Sequence, residues 1–453
     1  MPTKTAHGWI DEVQRGHGPV YAALAQVLEA AIRDGRLHPG DRLPPQRDVA
    51  RRLGVDLTTV TRAYTLAKER GLLEGTVGRG SFVKAPPQDA DPVLVDLSMN
   101  LPPPPLGLNL SVLLRETADD ILRASDASVL MAYSAGAGTA GQRAAGARWL
   151  APCLGDTAPD RMLIAPGAQA ALAAIFCALL KGGDTVVVEA LTYPGVIALA
   201  RTLGLTLLPC PTDADGLIPD ALEALCAAHR PAAIYVVPTL QNPTTATLPP
   251  ARRQAVAAIA RRFETWIVED DPYSLLMPAP PAAIATFAPE RTVYVGSLAK
   301  TLTPGLRIAY IAAPPACVDR IGDSLRALAV MPAPLMAAVA TRWIQEGVAL
   351  TLLLGVREEA SARRALAARL LPTAIGGPQS IHVWLPLADG HSAKALTAAA
   401  QARGLALVTG EAFAVGADHP NGARISFGGP ARRAVLEKGL RAVAELLAPV
   451  DRA

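Results

Sequence analysis

Cysteine is scarce and scattered. Cys153, Cys177, Cys210, Cys226 and Cys317 lie far apart, and none forms a C-x-x-C pair. An odd, dispersed set excludes a disulfide framework and fits reduced thiols in a cytoplasmic compartment. The seven histidines form no ligand-like pair, so no structural metal is expected. Hydrophobic residues reach 51%, but much of that is dispersed alanine. No apolar run approaches the roughly 20 residues that a bilayer span needs. The opening stretch MPTKTAHGWIDEVQRG has no apolar core, so neither a signal peptide nor a membrane partner is expected.

The chain has 453 residues, enough for two or three domains, each with its own core. Net charge is +3, unevenly spread: residues 1–85 carry +4 and the rest −1. A basic N-terminal segment suits a polyanion. Apolar spacing predicts a helix over 19–33, with Tyr21, Leu24, Leu28, Ala31 and Ile32 on one face. A short helix follows over 46–53, stopped by Gly54. Asp56 then caps a third over 57–70, whose outer face shows Thr58, Thr59, Thr61, Arg62 and Thr65. LLEGTVGRGSFV reads as two strands around Gly78-Arg79-Gly80. This order is that of a winged helix-turn-helix over residues 1–84. The Pro- and Asp-rich stretch 85–95 is a linker.

From residue 96 to 453, helical stretches alternate with β-branched runs at 185–190, 233–239, 265–271 and 291–297. That alternation predicts a mostly parallel sheet covered on both faces, in a large α/β subdomain reaching about residue 330. IHVWLPL, LALVTG and ARISFGG predict a small α+β lobe after about residue 350. Ligands of such sheets bind outside the carboxyl ends of the strands. Polar residues cluster at those ends: Asn242, Asp270 with Tyr273, and Ser297 with Lys300. Tyr193 lies before them in TYPG, and Gly167, Ala168 and Gln169 open a helix.

One ligand, pyridoxal 5′-phosphate, makes all these demands. Its aldehyde needs a lysine amine, Lys300, to form a Schiff base. Its ring nitrogen needs a carboxylate, Asp270. Asn242 and Tyr273 suit its phenolic oxygen, and Tyr193 suits its ring face. Gly167 to Gln169, Ser297 and Arg307 suit its phosphate. Taken singly, each residue has an ordinary reading: Asp as a turn residue, Tyr as packing, Lys as a solvated side chain. Five such sites at successive strand ends favour the shared ligand. Gly136, Gly138 and Gly141 spell G-x-G-x-x-G, but follow no clear strand and open no βαβ unit, so no dinucleotide site is expected.

The motifs YSAGAGTAGQR, APGAQAAL, TYPG, QNPT, EDDPY, SLAKTLTPGLR and ARISF resemble those of fold-type I, aminotransferase-class proteins of the aspartate aminotransferase superfamily. The resemblance covers residues 96–450. It implies that Lys300 bears the cofactor, that Asp270 pairs with its ring nitrogen and that Arg424 grips a ligand carboxylate. It implies that Tyr133 reaches the phosphate of a neighbouring subunit, hence a homodimer with shared sites, and that the Asn242–Pro243 bond is cis. Ala299 departs from relatives that carry a second serine before the lysine. Asn100, in DLSMNLPPPP, is a candidate ligand contact from the edge of the domain, or simply part of an extended strap.

Residues 19–83 resemble a GntR-type winged helix, and its fusion to an aminotransferase-like domain resembles the MocR subfamily of bacterial regulators. The resemblance implies an operator-binding helix presenting Thr58, Thr59, Thr61 and Arg62 to the major groove. Arg47 and the wing's Arg79 would touch phosphate or the minor groove. Family members commonly have Ser-Arg where Asp56-Leu57 stand, and several have Arg at Thr61. The expected function is a double-stranded-DNA-binding regulator that senses the cofactor, or an amino-acid-like or amine effector, through a Lys300 aldimine. The alternatives are a working aminotransferase with an accessory winged helix, and a cofactor-free scaffold in which Lys300 is a bystander.

Overall fold

The computed structural model describes residues 8–13, 19–33, 36–37, 40–76, 80–84, 94–105, 107–133, 137–388, 391–417 and 419–447. The chain divides into two compact units, residues 1–93 and 94–453. Arg79 and most of the expected linker lie outside the described residues.

In the first unit, helices Val20–Arg33, Gln46–Leu53 and Leu57–Glu69 precede an antiparallel hairpin of Leu73–Thr76 with Gly80–Val83. Gly54 ends the second helix in a left-handed conformation (φ 61°), which glycine adopts at little cost. Asp56 caps the third by accepting from the backbone N–H of Thr58. The helices bury Leu24, Leu28, Val49, Val60, Ala63 and Tyr64 against Leu73 and Val83. Trp9 and Ile10, on a short 3₁₀ helix over Gly8–Glu12, join that core, although no helical spacing in the sequence announces them.

The second unit is built on a seven-stranded sheet. From edge to edge it runs Met162–Ala165, Ala309–Ala312, Thr292–Ser297, Trp266–Asp270, Ala233–Val236, Thr185–Glu189 and Thr206–Cys210. Only Ala309–Ala312 runs against the others. The Val- and Ile-rich strands are buried on both faces, as a helix-covered parallel sheet requires. A smaller lobe holds three antiparallel strands, His382–Pro386, Gly422–Ser426 and Val408–Thr409, with helices Val348–Leu370, Ala393–Ala402 and Arg433–Leu447.

A strap crosses this lobe. Val95–Asp96 pairs in parallel with Leu405–Ala406, and the carbonyl of Leu97 accepts from the N–H of Ser426. Val95 and Leu97 lie in the lobe's core with Phe427 and Leu440. Gly428 and Gly429 run so close to Leu101 and Asp96 that a β-carbon at either would overlap the strap's carbonyls. The strap's path is thereby fixed by backbone contact.

Candidate functional site

Strand register puts the polar residues at one edge of the sheet. Glu269 lies level with Val236 on one side and Tyr294 on the other, and Asp270 lies level with Val295. Asp270, Ser297 and the loop leading from Val236 to Asn242 therefore emerge together. Ser297 pairs with Ala309, and Ala309 with Ala165. That brings Arg307, two residues before Ala309, beside Gly167, two residues after Ala165. The residues enclose a cavity of about 490 Å³, within the size range of ligand pockets. Its walls include Asn100, Ala168, Gln169, Tyr193, Asn242, Asp270, Tyr273, Ser297, Lys300, Arg307 and Arg424.

At its centre Lys300 is half-buried and donates to the carbonyl oxygen of Asn100 at 2.5 Å. Burial lowers its amine to about 8; Arg424 and Arg307 push the same way and Asp270 opposes them. An amine so placed is partly neutral near pH 7 and can attack a carbonyl. Asp270 is buried, and its Oδ2 accepts from the hydroxyl of Tyr235 at 2.7 Å. Its Oδ1 has no partner. Burial raises the carboxyl to about 6, against the Tyr235 hydrogen bond and with Asp271 adding to the rise. A buried carboxylate oxygen without a donor is costly, so this atom is poised for a ligand N–H. Tyr235 stands inside an apolar strand run, so spacing alone did not single it out.

Gly167 caps helix Ala168–Leu179 at φ 93°. A β-carbon there would come within 2.6 Å of the Arg307 guanidinium. The helix N-terminus, the Ser297 hydroxyl and Arg307 thus face one end of the cavity, a donor set that suits an anion. Ser297 Oγ accepts from the N–H of Ala299 at 3.2 Å. Gln169 donates to the carbonyl of Gly195 at 3.0 Å, so its amide braces the Tyr193 turn. A β-carbon on Gly195 would overlap the Tyr193 ring.

At the opposite end Arg424 is buried. It donates to Asn242 Oδ1 at 2.8 Å and to the carbonyl of Ser98, lies 5.0 Å above the Phe413 ring, and leaves Nε unpartnered. The Asn242–Pro243 bond is cis. Asn100 Nδ2 donates to Tyr273 Oη at 2.9 Å and lies 3.3 Å from Nδ1 of His382. Nε2 of His382 lies 3.1 Å from the carbonyl of Gln241, which assigns the proton to Nε2. Burial pushes this imidazole down to about 3, so it stays neutral. Asn100 is therefore a wall residue of the site. No local spacing points to His382, which lies 282 positions from Asn100. Tyr133 is 86% exposed and lines no part of this chain's own cavity.

In the first unit Arg47 is exposed and Thr59 half-buried. The hydroxyl of Thr58 donates to Asp56 at 2.6 Å. That of Thr61 lies 2.8 Å from Gln46 Oε1 and 2.9 Å from the carbonyl of Leu57. The Arg62 guanidinium lies 4.7 Å above the Tyr21 ring. Three of the residues expected on a groove-facing surface are thus already engaged within the module.

Residues 93–442 match the family model for aminotransferase class I and II, and residues 20–83 that for bacterial regulatory proteins of the gntR family. YdeF of Bacillus subtilis, described as an uncharacterized HTH-type transcriptional regulator, is 31% identical over 97% of this chain and 96% of its own. MocR of Rhizobium meliloti is 29% identical over 73% of this chain and 72% of its own. The chain belongs to the MocR subfamily of GntR-type regulators. Among solved structures, the α-aminoadipate aminotransferase LysN of Thermus thermophilus superposes with a TM-score of 0.71 at 26% identity, covering 85% of this chain and 98% of that one. That structure holds N-(5′-phosphopyridoxyl)-L-leucine. The MocR-type cavity here has the matching chemistry: an amine, an unpartnered buried carboxylate oxygen and an anion cradle at one end. Among the described residues, no helix is long and apolar enough to cross a membrane.

Proposed function

We propose that this chain is a transcription regulator of the cytoplasm that grips operator DNA through its gntR-type module and changes that grip when an amino compound engages pyridoxal 5′-phosphate in the cavity. The observation that carries the reading is the meeting of Lys300, Asp270 and the Gly167–Arg307 cradle in one cavity of a chain that also has a gntR-family module. When bound, the cofactor supplies a carbonyl that captures amino groups and a ring that draws electrons from them.

The chain's own residues do the rest. Lys300 offers its neutral amine to the carbonyl. Asp270 Oδ1 holds the proton of the ring nitrogen, while Tyr235 holds Oδ2. Tyr193 covers a ring face, and Asn242 and Tyr273 orient the phenolic oxygen. Ser297, Arg307 and the helix N-terminus bind the phosphate. Arg424 takes the effector's carboxylate. Tyr133, exposed in a single chain, reaches the phosphate of the other site in a homodimer. A ligand shifts the DNA-binding equilibrium only by its difference in affinity for the two states.

A second reading, a working aminotransferase, is favoured by the likeness to LysN and by the full set of amine, carboxylate and Arg424. Fluorescence anisotropy against DNA from the chain's own upstream region, with unrelated DNA as competitor, separates the two. Specific binding supports the regulator. Binding with no preference in any cofactor state overturns it, and amino-donor turnover assays then test the second reading.

A further inference from the structure

His382 is a buried imidazole that lies behind the cavity wall rather than on it. It stands on strand His382–Pro386 of the smaller lobe, across the ladder from Ser426. Its two ring nitrogens face two other parts of the unit. Nε2 lies 3.1 Å from the carbonyl of Gln241, in the loop that carries Asn242. Nδ1 lies 3.3 Å from Nδ2 of Asn100, on the strap. The ring also packs against that of Tyr273, with 5.7 Å between centroids and 57° between planes.

Hydrogen-bond polarity runs through these groups in one direction. A carbonyl oxygen only accepts, and that of Gln241 is held in place by the N–H of Thr245 at 2.6 Å. The ring proton therefore sits on Nε2, and Nδ1 is an acceptor. Arg424 and Lys300, the charged groups that act on the ring, both oppose a second proton. An acceptor at Nδ1 requires Asn100 to present Nδ2, because Oδ1 there would set lone pair against lone pair. The other proton of Nδ2 goes to Tyr273 Oη, at 2.9 Å. Since Oη accepts from Asn100, the hydroxyl proton of Tyr273 is left for the cavity that Tyr273 lines. Asn100 Oδ1 has no partner. Turning the amide over would relieve that cost by letting Oδ1 accept from Tyr273, and His382 is the group that prevents the turn.

We propose that His382 is a positioning residue of the cofactor site: anchored on the Gln241 carbonyl, it fixes the Asn100 amide so that Tyr273 donates its proton to the phenolic oxygen of pyridoxal 5′-phosphate. This rests on the reading of the cavity as a site for that cofactor. A donor at the phenolic oxygen favours its deprotonated form, so the bound cofactor loses its proton at a lower pH than it would without one.

The test follows the absorption band of pyridoxal 5′-phosphate bound to the full chain across pH. His382→Phe keeps the bulk of the ring and removes both nitrogens, which frees the amide to turn and take the Tyr273 proton. The midpoint of the band is expected to rise by roughly one pH unit. Tyr273→Phe is expected to raise it as well, and adding His382→Phe to that variant is expected to raise it no further. His382→Asn, which restores an acceptor near the place of Nδ1, is expected to recover part of the shift. The charges of the cavity wall, Asp270, Lys300, Arg307 and Arg424, are the same in all these proteins, so differences in midpoint belong to the substituted groups.

A second readout needs no cofactor. In the full chain labelled with nitrogen-15 at histidine, His382 is expected to resonate as the Nε2–H tautomer, its signal assigned by its loss in His382→Asn. An Nδ1–H tautomer or a charged ring at pH 7 overturns the proposal even where His382→Phe does not fold. A midpoint unmoved by His382→Phe, or moved equally with and without the Tyr273 hydroxyl, overturns the proposal alone. If added pyridoxal 5′-phosphate gives no bound band, the cofactor reading itself fails and takes this proposal with it.

Discussion

The amine of Lys300 donates to the main-chain carbonyl of Asn100 across 2.5 Å, joining residues 200 positions apart. The same strap offers the carbonyl of Ser98 to Arg424. The amine proposed to capture an aldehyde and the guanidinium proposed to grip a carboxylate thus both rest on residues 98–100. Ligand capture is expected to draw both donors away from the strap. Amide hydrogen exchange over residues 98–101 is expected to quicken when cofactor and effector are bound. Unchanged exchange there would mean that the strap does not register the ligand.

The lowered Lys300 amine sets a pH profile. With its midpoint at about 8, the neutral fraction falls roughly tenfold for each pH unit below that value and levels off above it. The rate at which cofactor-free protein captures pyridoxal 5′-phosphate is expected to follow this curve, read by absorbance in stopped flow. An ordinary lysine, with a pKa of about 10.4, would give a rate still climbing past pH 9.

Tyr235→Phe removes the hydrogen bond to Asp270 Oδ2 and leaves both carboxylate oxygens without a donor. The carboxyl then titrates above its present value of about 6, so more of it is protonated at neutral pH. A protonated Asp270 no longer counters a charged ring nitrogen. Cofactor affinity at pH 7 is expected to fall roughly tenfold, the scale of one hydrogen bond to a charged group. The deficit shrinks at pH 9, where the carboxylate is ionised in both proteins. A merely structural loss would persist at both pH values, and titration of bound cofactor fluorescence distinguishes the two.

Gly195→Ala places a methyl on the Tyr193 ring and the Gln169 amide. The ring must shift from its place over the cavity. Overpacking of this kind costs ~1–3 kcal/mol. Calorimetry is expected to show that loss in the larger unit, together with weaker cofactor binding. An unchanged dissociation constant would remove Tyr193 from the cofactor's surroundings.

Arg47 is exposed on the helix Gln46–Leu53, whereas Arg62 stacks on Tyr21. Arg47→Ala is expected to weaken binding to specific and unrelated DNA alike, and to reduce the salt dependence of binding by about one phosphate contact. Arg62→Ala is expected to lower the melting temperature of the winged helix as well, because its guanidinium packs within the module. Anisotropy at several salt concentrations, paired with thermal melts, checks both.

Much of the fold was legible because its signals are local. Buried strands announce themselves as β-branched runs, and Gly54 and Asp56 mark helix ends by their own backbone preferences. The cavity was legible because register carries residues at successive strand ends to one edge, as Asp270, Ser297 and Arg307 show. What escaped depends on contacts between distant segments. Tyr235 reads as one more apolar strand residue until Asp270 is seen against it. His382 lies in a strand with no flanking turn signal, and only the path of the strap brings Asn100 to it. The stacking of Arg62 on Tyr21 also joins two different helices, beyond the reach of local spacing. Trp9 and Ile10 join the core from a short turn that carries no helical periodicity.

The central claim is that the cofactor site governs DNA binding. It is tested most directly by the affinity of the full chain for DNA from its own upstream region, measured by anisotropy with and without pyridoxal 5′-phosphate, in wild type and in Lys300→Ala. The account predicts that the wild-type affinity changes by at least roughly fivefold on loading, the lower range of allosteric coupling, and that Lys300→Ala binds DNA but does not respond. Equal affinity of the loaded and unloaded wild-type protein would contradict it.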